Sequence, residues 1–158
     1  MVNLDDLIKA NRDNHYKLLA LIGDSPAKAN KIIEYLQDNG WEVYDVEKVA
    51  LELVEEIPEG KVHLRIGNKL KSWVNTLGEK IVLTNTNILY SPELNQINPI
   101  GAFRYLMRGN KQAVLFLDAR LRENKAIYSN PGRDDYCEMD LAEVIYEKID
   151  NVIVRGDN

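Results

Sequence analysis

The sequence predicts a three-layer α/β fold with a mostly parallel sheet, and three observations carry that expectation. Strand-like runs alternate with helical stripes along the chain. The runs within 16–22, 81–83 and 112–117 are continuously apolar, as strands covered on both faces are. The 158 residues show no repeat, low-complexity segment or internal linker, so 1–158 reads as a single domain.

In order, Asn3 caps a helix over 3–13 whose apolar face is Leu4, Leu7 and Ile8, with Asp5 and Asp6 at its positive start. The first strand is 16–22. A helix over 26–38 follows, with Ile32, Ile33, Tyr35 and Leu36 at helical spacing and Asn39-Gly40 as its stop. Trp41 to Val46 reads as a second strand. Helices follow over 46–56 and 61–77, parted by the turn Pro58-Glu59-Gly60. Lys80 to Asn85 is the third strand, and 86–97 a loop with some local structure.

Asn98-Pro99 opens a helix that runs to about Arg108, with asparagine as cap and proline at the first position. Gln112 to Asp118 is the strongest strand signal in the chain. Beyond it the pattern predicts a short strand near 126–128, a loop through Pro131-Gly132, a helix or turn near 140–147, and a last strand over 151–154.

Hydrophobic content of 45% and charged content of 28% are those of a soluble globular protein. A chain of this size buries about 70% of its unfolded surface, enough for a true core. The net charge of −5 opposes a general nucleic-acid coat, which needs a basic face. The single cysteine, Cys137, excludes an internal disulfide and a cysteine-rich metal site. No apolar run reaches membrane-span length, and the acidic start of the chain has no signal-peptide pattern. The expected setting is cytoplasmic, without a membrane.

The turn after the first strand reads Gly23-Asp24-Ser25-Pro26-Ala27-Lys28. A strand, a glycine turn and a helix with lysine near its start are the layout of a phosphate-binding loop, whose N–H groups cradle phosphates. ATP with magnesium is the cofactor such a loop takes, and Gly23, Asp24, Ser25 and Lys28 are the candidate binding residues. The loop departs from the working pattern. Lysine comes one residue early, Ala27 stands in for the second glycine, and Ala29 for the hydroxyl that holds magnesium. Pro26 has no N–H to donate, and Asp24 puts negative charge where a phosphate would sit. The competing reading is structural: Ser25 or Asp24 caps the helix, Pro26 takes its first position, and Lys28 is solvated.

A phosphate site of this kind also needs an acid at the end of a neighbouring strand. After Ile81-Val82-Leu83 the chain has Thr84-Asn85-Thr86-Asn87, without a carboxylate. The remaining candidate is Asp118, at the end of the strand over 112–117, where ligands of parallel sheets bind; a turn-capping role is its alternative.

The stretch from Ile81 to Leu94, with Thr84, Asn87, Tyr90 and Pro92, resembles the Walker B region of BrxF, the small P-loop protein of type-three BREX bacteriophage-exclusion systems. The likeness continues through Asn98-Pro99, the helix ending in Arg108, the strand over 112–117, and Ala126 to Gly132 with Asp135-Tyr136 after it. The resemblance implies a P-loop NTPase fold, in which the strand over 112–117 lies between the first and third strands. It also implies an antiviral defence role beside other BREX proteins, with a larger ATPase as partner. The family's acids fall here on Thr84 and Asn87, so the implied subunit has degenerate Walker motifs and is non-hydrolysing or weakly nucleotide-binding, acting through protein contacts. An active NTPase with an altered loop, Lys28 on phosphate and Asp118 on magnesium, is the alternative.

Arg104 and Arg108 are four apart, on one face of the predicted helix, and Arg120, Arg122 and Lys125 follow Asp118. Such arginines serve as fingers in a homo-oligomer, contact DNA phosphates in an accessory protein, or lie on plain solvated surface. His15 and His63 stand alone and make no metal motif. Trp41 and Trp73 read as core, and Tyr128 and Tyr136 as packing around the Pro131-Gly132 loop rather than as base-stacking rings.

Overall fold

The computed structural model describes residues 1–94 and 96–154. Of the predicted loop over 86–97, Asn95 lies outside the described residues, as do positions 155–158 of the predicted domain. Strand β1 (Val2–Asn3) leads into helix α1 (Leu4–Asp13), where the Asn3 side chain accepts the Asp5 N–H at 2.9 Å, the predicted cap. Then come β2 (Leu18–Ile22), α2 (Pro26–Asp38), β3 (Glu42–Asp45), α3 (Val46–Glu55), α4 (Val62–Asn75) and β4 (Lys80–Thr84). Two 3-10 segments, Thr86–Tyr90 and Pro92–Leu94, precede α5 (Pro99–Phe103) and β5 (Gln112–Leu117). A hairpin-like set follows, β6 (Arg120–Arg122), β7 (Lys125–Tyr128) and β8 (Cys137–Asp140), then β9 (Ile145–Lys148) and β10 (Val152–Ile153).

The principal sheet has five strands in the order β3-β4-β5-β2-β9, all parallel. Strand β5 thus lies between β2 and β4, the position expected for 112–117. Period-two alternation sends successive side chains to opposite faces. Leu18, Ala20, Ile22, Leu83 and Leu115 face a core shared with Ala50 of α3, Leu70 of α4 and Phe103 of α5. Leu19, Leu21, Val82 and Val114 face a second core with Leu4 of α1 and Leu36 of α2. Helices therefore cover both faces, and each leucine fully withdrawn from water contributes about 1.5–3 kcal/mol to holding them there. Trp41 is buried in one core and Trp73 packs against the other, as expected. No helix among the described residues is long and apolar enough to cross a membrane.

Three sequence expectations are corrected. The helix opened by Asn98-Pro99 ends at Phe103 and gives way to a 3-10 turn over Arg104–Leu106, so Arg104 and Arg108 do not share a helical face. The chain turns there because Met107 enters the core and its carbonyl accepts the Lys17 N–H at the foot of β2. Of the helix or turn expected near 140–147 the turn is found, at 142–143 between the end of β8 and the start of β9; a helix is not, and Glu143, at φ 69°, is in a conformation that a right-handed helix cannot contain. The predicted last strand over 151–154 is reduced to β10, which pairs with β1 and not with the principal sheet; β9 supplies the fifth strand instead.

The small sheet β6-β7-β8 is antiparallel. Its registers align Arg120, Ile127 and Glu138 in one row and Arg122, Lys125 and Asp140 in another on the same face, with Leu121, Ala126 and Met139 between them on the opposite face. Ile127 is buried although both of its cross-strand partners, Arg120 and Glu138, are charged and exposed.

Candidate functional site

The chain leaving β2 passes to α2 on one face of the sheet, while the chain leaving β4 passes to α5 on the other. Divergence of neighbouring connections opens a crevice at the carboxyl ends of the strands. A cleft of about 340 Å³ lies there. The turn after β2 (Gly23 to Pro26), the turn after β4 (Thr84 to Asn87) and the end of β5 (Phe116 to Asp118) line it, with Glu47 of α3 and Ile149.

The Gly23 N–H donates to the Leu117 carbonyl at 2.9 Å, binding the turn to the neighbouring strand. Gly23 has φ 142°, which only glycine adopts without strain, so this position is glycine for reasons of backbone geometry alone. Ser25 sits at the N-cap of α2 but makes no side-chain capping bond, and Pro26 occupies the first turn as predicted. The capping role expected of Ser25 is therefore not performed by its hydroxyl.

Lys28 does not line the cleft. Its ammonium donates to the Asp150 carbonyl at 2.7 Å, on the exposed side of α2. Asp118 does line it, exposed, and accepts a bond from the Asn87 side-chain amide at 3.1 Å. The hydroxyls that stand in the second motif are turned to the backbone: Thr84 donates to the Tyr44 carbonyl at 3.3 Å and Thr86 to the Phe116 carbonyl at 2.9 Å. Asn85 takes the left-handed conformation at φ 53°, which asparagine tolerates better than most residues.

The charged side chains on the cleft wall are Asp24, Glu47 and Asp118, all acidic. Magnesium triphosphate needs a cation on its phosphates and an oxygen ligand set on its metal. Neither is assembled: Lys28 is engaged elsewhere, and among the described residues no three His, Cys, Asp or Glu side chains converge to hold a metal ion. The residues present do not fit the group.

Glu47 was not among the candidates read from the sequence. It lies in the first turn of α3, which Asp45 caps through the Lys48 N–H, so the helix begins at the carboxyl end of β3 and leans over the cleft. That placement follows from the strand-to-helix junction at Asp45-Val46, a signal present in the sequence.

Beside the cleft, and sharing Glu47 and Asn87 with it, a second hollow of about 400 Å³ is floored by Tyr90 and Tyr128. The two rings stack with centroids 4.2 Å apart and planes at 27°. Burial, then the charges of Cys137 and Asp118, push the Tyr90 phenol far above its ordinary range. Burial first, then Asp135 and Asp118, raise Tyr128, against a smaller opposing effect of Arg133. Tyr128, at the end of β7, packs its ring on Tyr90 and against the core. Asp135 is held below the ordinary carboxylate range, chiefly by the Ser129 hydroxyl that donates to it at 2.7 Å.

The remaining candidates lie away from the cleft. Arg104 donates to the Ala142 carbonyl at 2.9 Å and lies over the Tyr105 ring. Arg108 is exposed. Arg120 donates to the Ser129 carbonyl at 2.8 Å, and Arg122 projects from the same face of β6. No family model, no curated protein and no solved structure matches the chain.

Proposed function

We propose that the chain is a P-loop-like subunit of a BREX-type phage-defence assembly, acting through protein contacts and not through hydrolysis of ATP. The observation that carries the second half of this reading is the sign of the cleft: its wall charges are Asp24, Glu47 and Asp118, while Lys28 is tied to the Asp150 carbonyl. In a partly exposed site two like charges about 4 Å apart repel by about 4 kcal/mol. That is roughly three decades in affinity. The first half rests on the resemblance over 81–136, and the placement of β5 between β2 and β4 agrees with the fold that resemblance implies.

Titration calorimetry with ATP and magnesium tests the reading. No heat is expected at about 1 mM nucleotide, a level at which even weak sites register. Micromolar binding that Lys28→Ala abolishes would replace it with the altered-loop NTPase. Co-expression with the larger ATPase of a type-three BREX system tests the assembly: stoichiometric co-purification is expected, and its absence removes that partner. The DNA-accessory reading gains little from the small sheet, where Glu138 and Asp140 share the outer face with Arg120 and Arg122. A salt-dependent gel shift lost in the Arg120→Gln, Arg122→Gln double variant would restore it.

A further inference from the structure

We propose that the groove between α3 and α4 is a binding site for a small planar anion, an aromatic ring bearing a phosphate or carboxylate. The groove has a volume of about 510 Å³, within the range of small-molecule sites. Its apolar floor is Leu53 and Trp73. Tyr44 packs edge-on against Trp73, at right angles and 5.5 Å between centroids, so the indole is held from the sheet side and half-buried. A fixed, partly exposed indole is a surface on which a planar ring stacks.

Arg65 and Lys69 supply the positive charge, one helical turn apart on α4. Lys69 is already paired with Glu56 across the groove at 3.2 Å. The Arg65 guanidinium has no protein partner among the described residues, and its planar fork suits a phosphate or carboxylate. The groove therefore carries net positive charge in a chain of net charge −5, the reverse of the cleft at the strand ends. The order along the groove sets the ligand: the ring lies on Trp73 and its anionic group meets Arg65.

The chain has two tryptophans, and Trp41 is buried in the other core, so two indole N–H signals in a 15N-labelled sample separate the site from the rest. The probes are AMP, 2-naphthoate, adenosine and inorganic phosphate. AMP or 2-naphthoate is expected to shift the Trp73 signal saturably at about 1 mM or below, leaving Trp41 in place. Response to AMP alone identifies phosphate as the head group, and response to both identifies any planar anion. Arg65→Gln is expected to weaken the binding about tenfold, the loss of one charge-assisted contact. No shift with either anion, an equal shift with adenosine, or an unchanged affinity in Arg65→Gln overturns the proposal.

Discussion

At the foot of the parallel sheet, Lys111 donates to three carbonyls at the end of α4, those of Val74, Leu77 and Gly78, at 3.0, 2.9 and 3.1 Å. Lys17 does the same for α1 through the carbonyls of Arg12 and Asn14, at 2.7 and 2.8 Å. Buried Asn11 donates to the carbonyl of Lys17 at 3.1 Å. At the opposite edge the charged side chains are acidic and face solvent across the cleft. Cations at the foot meet helix carboxyl ends, where the macrodipole and unpaired carbonyls favour them. The foot uses its cations to hold the chain together, whereas the upper edge, though its threonines bond to the backbone, leaves its carboxylates exposed. Substitutions at the foot should therefore cost stability, and those at the upper edge should change charge with little effect on folding.

The largest effect is expected at Lys111. Replacing it with methionine keeps the stem and removes the charge from three carbonyls that the native fold partly buries. Hydrogen bonds to a charged group are worth about 1.5–3 kcal/mol. A loss of about 2–3 kcal/mol is expected for Lys111→Met, read as a lower urea midpoint at unchanged slope. A loss no greater than that of an upper-edge variant would erase the contrast between the two ends.

Gly23 is the upper-edge position where stability should still respond. A β-carbon there meets Ile149 Cβ at 3.7 Å, an ordinary contact, so crowding is not the obstacle. The obstacle is φ 142°, and a strained backbone of this kind costs about 1–3 kcal/mol. Gly23→Ala is expected to fall near the lower end of that range in the same urea measurement. This separates two reasons for a glycine after the first strand: the turn requires it sterically whether or not a phosphate is bound.

The sheet and the acids at its upper edge were legible in the sequence, the cations at its foot were not, and the difference has a physical cause. β2 and β5 stand out because both of their faces are buried, which forces continuous apolar runs. β9 does not, because it is an edge strand, paired among the described residues only with β2, and its Glu147 is half-buried and its Lys148 exposed. Lys28 was correctly placed at the start of α2, but the direction of its ammonium depends on a carbonyl 122 residues away. No local pattern reports so distant a partner. Asp118 was readable because the residue that follows a parallel strand lies at the crevice; the helix predicted from 46, directly after the second strand, held the same signal for Glu47, which was not singled out.

The paired tyrosines behind the cleft predict a pH response. The Tyr90 phenol is held above the ordinary tyrosine value of about 10, first by burial, so the folded state keeps its proton after the unfolded state has lost it. Stability is then level below about pH 10 and falls as pH rises further, by about 1.4 kcal/mol per pH unit for one such group. Among the described residues the hydroxyl's only bond is a weak one, to the Met139 sulfur at 3.9 Å, so Tyr90→Phe should cost under about 1 kcal/mol near neutral pH. The variant should flatten the alkaline decline in urea midpoints between about pH 10 and 11. An unaltered decline would assign it to other tyrosines.

The smallest effect is expected where the cleft is most exposed. Asp118→Asn keeps the shape of the side chain and an oxygen able to accept the Asn87 amide, now at 3.1 Å, while removing one of the three carboxylates from the wall. Exposed substitutions away from caps and cores usually change stability by less than about 0.5 kcal/mol. Relief of repulsion from Asp24 and Glu47 acts in the stabilising direction, so the urea midpoint of Asp118→Asn should be unchanged or slightly raised. A fall of more than about 1.5 kcal/mol would mean that the carboxylate holds the turns after β4 and β5 together, as Lys111 holds the foot. In that event the acidity of the cleft would be a folding device, and the charge argument against a triphosphate would lose the residue nearest the middle of the sheet.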